Sequence, residues 1–186
     1  MPVAAASPAP ASLHITRRMF EGLFVRALPP EPAFHADLKA LGVDVERLLP
    51  QYPLRVWREA MDVARRHFFP AQTQQQADRL LGRLFVQGFQ DTMVGRSAAM
   101  AAAVVSPVFM VENIYRGFTA GRPDLRITVQ VVGETERRLL FEDAEPQPDF
   151  SAGCVEAALE RMRTQVRAEV TVEDRQATSF ALRIRW

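Results

Sequence analysis

The chain has 186 residues, 48% of them apolar, a formal net charge of +1 at neutral pH, three histidines and one cysteine. That length and apolar content suit one domain with a sizeable core. The near-neutral balance, mixed along the sequence, argues against broad electrostatic binding to nucleic acid or to an anionic membrane surface, and the lone Cys154 excludes an intramolecular disulfide.

Residues 1–16 are rich in Ala, Pro and Ser. They are expected to form a disordered tail, because such residues bury too little surface to offset ordering entropy. They lack a basic region followed by an apolar core, so they do not read as a signal peptide. Residues 17–186 read as a single domain. Met19 to Leu28 is expected as a strand, ended by Pro29 and Pro30. Ala33 to Leu41 is expected as a short helix, with Gly42 at its C-cap. Pro53 to Phe69 has an amphipathic helical pattern. Trp57, Ala60, Met61, Ala64 and Phe68 form its apolar stripe, and Arg55, Arg58, Asp62, Arg65 and Arg66 face water. Pro70 stops it.

Thr73 and Gln76 have capping-box spacing and open a helix reaching Val94. Its stripe is Ala77, Leu80, Leu81, Leu84, Phe85, Gly88 and Thr92, with Arg79, Arg83 and Gln90 directed away. Gly82 and Gly88 inside it each cost about 1 kcal/mol relative to Ala. Close helix-to-helix approach would compensate them. Ser97 to Gly117 is expected as a central buried helix that bends at Pro107, with Ser106 as an internal N-cap. Within it, Ser97 to Val111 is apolar but too short to cross a bilayer, which takes about 20 apolar residues, and it contains Pro107.

The period then changes. Leu125, Ile127, Val129 and Val131 alternate with polar residues, a turn follows over Gly133 to Glu136, and Arg137 to Glu142 is a second strand. Asp143 to Pro148 is an acidic, proline-containing loop, expected to be solvated. Ser151 is expected to cap a helix carrying Val155, Ala158, Leu159 and Met162. Val166 to Val172 and Phe180 to Trp186 alternate as two final strands. The order predicts an α+β fold. An N-terminal helical layer packs on an antiparallel sheet, and the chain ends strand, strand, helix, strand, strand.

No catalytic constellation stands out. His14, His35 and His67 are scattered, without metal-ligand spacing. Cys154, expected in the first turn of the last helix, has no histidine near it in sequence. A structural role is expected for it, although a helix N-terminus can activate a thiol. Neither a metal nor a cofactor is expected, and the chain does not read as an enzyme.

Phe85, Phe89, Met93, Phe109, Met110, Ile114 and Phe118 come from two helices expected to be neighbours, 73–94 and 107–117. They can form an apolar pocket with Tyr115 and Arg116 at its mouth, or simply fill the core. Two readings follow. One is a non-enzymatic sensor for a small apolar ligand, held by Phe85, Phe89, Phe109, Met110, Ile114, Tyr115 and Arg116. The other is a homodimeric interaction module with a solid core. Its dimer contact would be helical, using the small residues Gly82, Gly88, Gly95 and Ala98 to Ala103. A cytoplasmic location is expected.

Two resemblances add to this. The stretch Phe150-Ser151-Ala152-Gly153-Cys154-Val155-Glu156-Ala157-Ala158-Leu159 and the closing Leu182-Arg183-Ile184-Arg185-Trp186 resemble the NO-signalling and Golgi-transport ligand-binding fold. That fold includes haem NO-binding and vinyl-4-reductase-type domains, and the resemblance implies a ligand-binding module. The haem-binding branch carries a proximal histidine on a central helix and a Tyr-x-Ser-x-Arg motif. Ser97 to Gly117 has no histidine and that motif is missing, so no haem is expected. Phe20-Glu21-Gly22-Leu23-Phe24, Leu81-Gly82-Arg83-Leu84-Phe85-Val86-Gln87-Gly88-Phe89 and Thr92-Met93-Val94-Gly95 are similar to a myxobacterial paralogous family without an assigned function.

Overall fold

The computed structural model describes residues 13–91, 106–161 and 168–186. A strand β1 (His14–Thr16) opens the described chain and pairs antiparallel with β2 (Gln51–Pro53), with Ile15 opposite Tyr52. Leu13 to Thr16 were expected in the tail. Ile15 is instead fully buried and anchors the chain from there on.

The segment from Met19 to Leu28 is helical, not a strand. α1 (Arg17–Phe20) runs into a π-helical segment (Glu21–Ala27). Phe20, Leu23, Phe24 and Leu28 are buried while Val25 is exposed, a helical spacing with one wide turn. α2 (Pro32–Ala40) follows and ends at Gly42, whose φ of 83° needs glycine. α3 (Leu54–Phe68) buries Trp57, Ala60, Met61 and Ala64 as expected. α4 (Gln74–Gln90) begins with the predicted capping box: Gln76 N donates to Thr73 Oγ1, 3.3 Å, and Thr73 N donates to Gln76 Oε1, 3.1 Å.

Ser106 caps α5 (Pro107–Asn113), accepting from Phe109 N at 3.2 Å, and α6 (Tyr115–Gly121) continues it. The described part of this stretch is not the central buried helix, since Val111 and Gly121 are its only buried residues. That place belongs to α7 (Pro148–Glu160), in which every residue from Asp149 to Val155 is buried. α7 starts at Pro148, one turn before the expected Ser151 cap, so Ser151 and Cys154 lie inside it.

The sheet has four antiparallel strands, β3 (Arg126–Gly133), β4 (Glu136–Glu142), β5 (Glu169–Glu173) and β6 (Ser179–Arg185), in the order β3-β4-β6-β5. Leu139 faces Leu182 and Phe141 faces Phe180 on the inner side. The α+β architecture and the strand, strand, helix, strand, strand ending agree with the sequence pattern.

Two core clusters meet on α7. Phe150 and Cys154 join a cluster with Phe20, Phe24, Trp57 and Leu81, and Ala152, Val155 and Leu159 join one with Leu139, Phe141, Leu182 and Ile184. α4 crosses α7 at reciprocal glycines. A Cβ on Gly82 would lie 2.9 Å from the Phe150 carbonyl carbon and 3.0 Å from Cys154 N, with the Phe150 oxygen nearer still. One on Gly153 would lie 2.9 Å from the Arg79 carbonyl carbon. Gly88 packs in the same way on the π segment, where a Cβ would lie 2.7 Å from Ala27 N. Gly82 and Gly88 are therefore used inside the fold, where an added methyl would collide with backbone. Gly95 and Ala98 to Ala103 lie outside the described residues.

Candidate functional site

The seam between the helical layer and the sheet is closed by residues 143–149, a strap in which every second side chain is held by an arginine or tryptophan from elsewhere in the chain. Asp143 is buried and accepts from Arg122 at 2.9 Å. Glu145 pairs with Arg58 of α3 at 3.2 Å. Gln147 Oε1 accepts from Trp57 Nε1 at 3.0 Å. Asp149 accepts two bonds from Arg175, both 2.8 Å. Pro146 and Pro148 stand between the anchors, and Asp149 lies in the first turn of α7. The acidic stretch is thus an anchored clasp, not a solvated turn.

Beside the strap lies a cleft of about 540 Å³. Arg58, Met61, Asp62 and Arg65 of α3 form one wall and Thr73, Gln75 and Asp78 at the start of α4 another. The strap from Pro146 to Asp149 and Arg175 complete it. Arg65 bridges Asp62 and Asp78. Burial pushes the Asp78 carboxyl above its ordinary range, outweighing the charge and hydrogen bond of Arg65, and the charges of Asp149 and Asp62 add to the rise. The hydrogen bond from Arg175 to Asp149 strengthens the proton hold of that guanidinium. The cleft therefore sets arginines beside aspartates in a partly desolvated space.

Three of the sequence-predicted site residues pack on the clusters, Phe85 on one and Met110 and Ile114 on the other. Phe85 and Phe89 pack together with centroids 5.8 Å apart, and Phe85 lies 5.7 Å from Phe150. Met110 and Ile114 pack on the sheet cluster. Phe118 touches both clusters and meets Phe141 edge-on at 5.4 Å. Phe109 is 52% exposed. The Arg116 guanidinium lies 5.9 Å from the Tyr115 ring centre, beside it on α6. The structure brings Phe85 together with Phe89, and among the described residues it packs Phe85 on one cluster and Met110 and Ile114 on the other. Met93 lies outside the described residues.

The cleft residues went unrecognised because Arg65, Asp78, Asp149 and Arg175 are far apart in sequence and each looks like an ordinary surface charge. The outward arginines of α4 mislead in the same way: Arg79 and Arg83 turn to α7 and hold Glu156, with Arg83 at 3.2 Å, and Arg79 also donates to Val170 O at 2.5 Å. The Cys154 thiol donates to Gly82 O at 3.4 Å, and full burial pushes its pKa far above the ordinary thiol range. This is an inert thiol.

The fold is shared with H-NOX proteins. A mutant H-NOX protein from K. algicida superposes with a TM-score of 0.68 at 13% identity, covering 92% of this chain and 96% of that one. An oxygen-binding H-NOX domain related to soluble guanylate cyclases gives 0.62 at 16% identity, covering 90% of each chain. A mutant H-NOX protein from T. Tengcongensis gives 0.56 at 14% identity, covering 82% of this chain and 85% of that one. At these identities the likeness shows the fold alone.

Other H-NOX structures concern haem distortion, so the fold raises the question of haem here. Among the described residues, His67, Cys154 and Tyr52 do not fit that group. A haem iron takes an axial His, Cys, Met or Tyr. No histidine follows His67 in the sequence, so α5, α6, α7 and the sheet offer none. His67 Nε2 lies 2.9 Å from Asp37 on the far helices, the Cys154 thiol is held protonated, and Tyr52 Oη accepts from Leu49 N at 2.9 Å. Between α1 and α6, Met19 packs so tightly that a Cβ on Gly121 would lie 2.9 Å from its Cγ. Among the described residues, no group of three or more His, Cys, Asp or Glu is placed to hold a metal ion, and no helix is long and apolar enough to cross a membrane.

No curated protein matches the chain. The model of the family described as "Protein of unknown function (DUF2378)" matches residues 13–186, and the chain belongs to that family.

Proposed function

We propose that the protein is a haem-independent, non-enzymatic ligand-binding module that senses a small polar molecule carrying both charges, such as a free amino acid. The observation that carries this reading is the cleft of about 540 Å³ at the seam, which falls within the usual size of a small-molecule site. Apart from Met61 and two prolines, its lining is polar, which favours a polar ligand over an apolar one. A zwitterion would exchange partners with the existing pairs. The exchange is cheap where the pairs reach solvent, because exposed ion pairs contribute little; the Arg58 and Arg175 side chains are 59% and 42% exposed. The strap offers a way to report binding, since Asp149 belongs to the cleft while Asp143 and Glu145 tie the same seven residues to Arg122 and Arg58.

The test is a thermal-shift panel of amino acids and of fatty acids, run on the wild type, Arg65→Ala and Phe89→Ala. Stabilisation by an amino acid that is lost in Arg65→Ala and kept in Phe89→Ala supports the cleft. Stabilisation by a fatty acid that is lost in Phe89→Ala would instead support the apolar site of Phe85, Phe89, Phe109, Met110, Ile114, Tyr115 and Arg116 and overturn this reading.

A further inference from the structure

The two edges of the sheet differ in how they meet solvent. β5 is a short edge of five residues carrying Glu169 and Glu173, followed by Asp174 at a φ of 49°. Short length, charge and an abrupt turn are the usual protections against edge-to-edge pairing. β3 has eight residues, no proline and no acidic residue. One of its edges is bonded to β4, and the other has no strand partner among the described residues. At its far end Val131 is 70% exposed and Val132 49% exposed. The register shift between Val131 and Gly133 lies at the hairpin tip, so Arg126 to Val131 keep a regular ladder.

We propose that β3 is the docking edge of a homodimer, in which two copies of the strand pair antiparallel about a two-fold axis. Such an axis, perpendicular to the sheet, brings residues of one face opposite residues of the same face. With Val129 on the axis, Ile127 faces the partner subunit's Val131 and Thr128 faces the partner subunit's Gln130. The apolar side of the edge then continues across the junction, and the exposed Val131 is covered. Arg126 falls opposite the partner subunit's Val132, with the partner subunit's Glu134 two residues further on in the hairpin turn, within reach of a long side chain. Both residues are exposed, and neither makes an ion pair with another described residue. Arg126 stands opposite Glu142 in its own sheet without bonding it. Symmetry forms the Arg126–Glu134 contact twice. The strand is therefore complementary to itself in hydrogen bonding, apolar stripe and charge, which makes a second copy its occupant. One strand edge buries little area, so the dimer is weak and reversible.

Sedimentation equilibrium over a range of concentrations tests this. The wild type is expected to associate reversibly to a dimer. Arg126→Glu alone and Glu134→Arg alone should each weaken association roughly tenfold, since two attractive contacts become repulsive in each. The 1:1 mixture of the two single variants should form a heterodimer at wild-type strength, because both contacts are then complementary again. Both positions are exposed, so circular dichroism should show unchanged folding. A wild type that stays monomeric to about 200 μM would overturn the proposal. So would reversals that leave association unchanged, or a mixture that fails to recover it.

Discussion

Replacing Gly82 with Ala is the most informative single perturbation of the fold. Alanine would gain about 1 kcal/mol from helix propensity. The new Cβ would sit 2.9 Å from the Phe150 carbonyl carbon and 3.0 Å from Cys154 N, and both obstacles are backbone of α7. Because the Phe150 oxygen lies nearer still, reaching ordinary contact needs the helices to part by about an ångström. Parting them loosens Phe150 and Cys154 in the core and strains the arginine pairs from Arg79 and Arg83 to Glu156. Overpacking usually costs about 1–3 kcal/mol, and two unyielding backbone neighbours put this site at about 3–4 kcal/mol, so the net loss is about 2–3 kcal/mol once propensity is returned. In a domain of this size that lowers Tm by roughly 5–10 °C. Gly117 on α6 is the control, because a Cβ there meets nothing within 4 Å. Gly117→Ala should raise stability by about 0.5–1 kcal/mol. Calorimetry of the two variants decides the matter. A Gly82→Ala protein as stable as the wild type would refute the close crossing of α4 and α7.

The remaining predictions concern charge, thiol and aromatic positions. Asp78 and Asp124 should give pH dependences of opposite sign. The folded pKa of Asp78 is raised, so the stability it contributes is complete below the unfolded carboxylate range and is lost as pH rises through the folded value. Asp124 is also raised by burial, but the hydrogen bond and charge of Arg122 win and lower it, so its contribution is present above the unfolded pKa and lost as pH falls through the folded one. Against increasing pH, the wild type should lose ground to Asp78→Asn and gain on Asp124→Asn in urea titrations; the same sign for both would contradict the assignment. The Cys154 thiol should resist DTNB in the native state and react on unfolding, and rapid native labelling would show that α7 is not buried. Phe109→Ala should change stability by less than about 0.5 kcal/mol, while Phe141→Ala should cost about 3–5 kcal/mol.

Local signals were legible and long-range ones were not. The Thr73 capping box, the Ser106 cap, the Trp57 to Ala64 stripe and the alternation of β4 depend on neighbours within a few residues, and all appear in the structure; in β3 the alternation fails at the exposed Val131, and Val166 lies outside the described residues. Met19 to Leu28 was misread because its apolar residues are dense enough to suit either period, and a π turn shifts the helical spacing. β1 and β2 are three residues each, too short to show alternation. The glycine pair was only half legible. Gly82 showed that something must approach closely, while its partner Gly153 is 71 positions away. The cleft was hidden for the same reason, since Arg65, Asp78, Asp149 and Arg175 converge only after α3, α4 and the strap have packed.

The central claim is that an H-NOX-like fold here binds without haem, at the polar seam. The most direct measurement is an amide chemical-shift map of the isotopically labelled protein against haemin and a panel of free amino acids. The account predicts that an amino acid shifts the amides of Arg65, Thr73, Asp78, Asp149 and Arg175, and that haemin produces no saturable shifts. Saturable, stoichiometric haemin shifts, or no response of the seam to any amino acid, would contradict it.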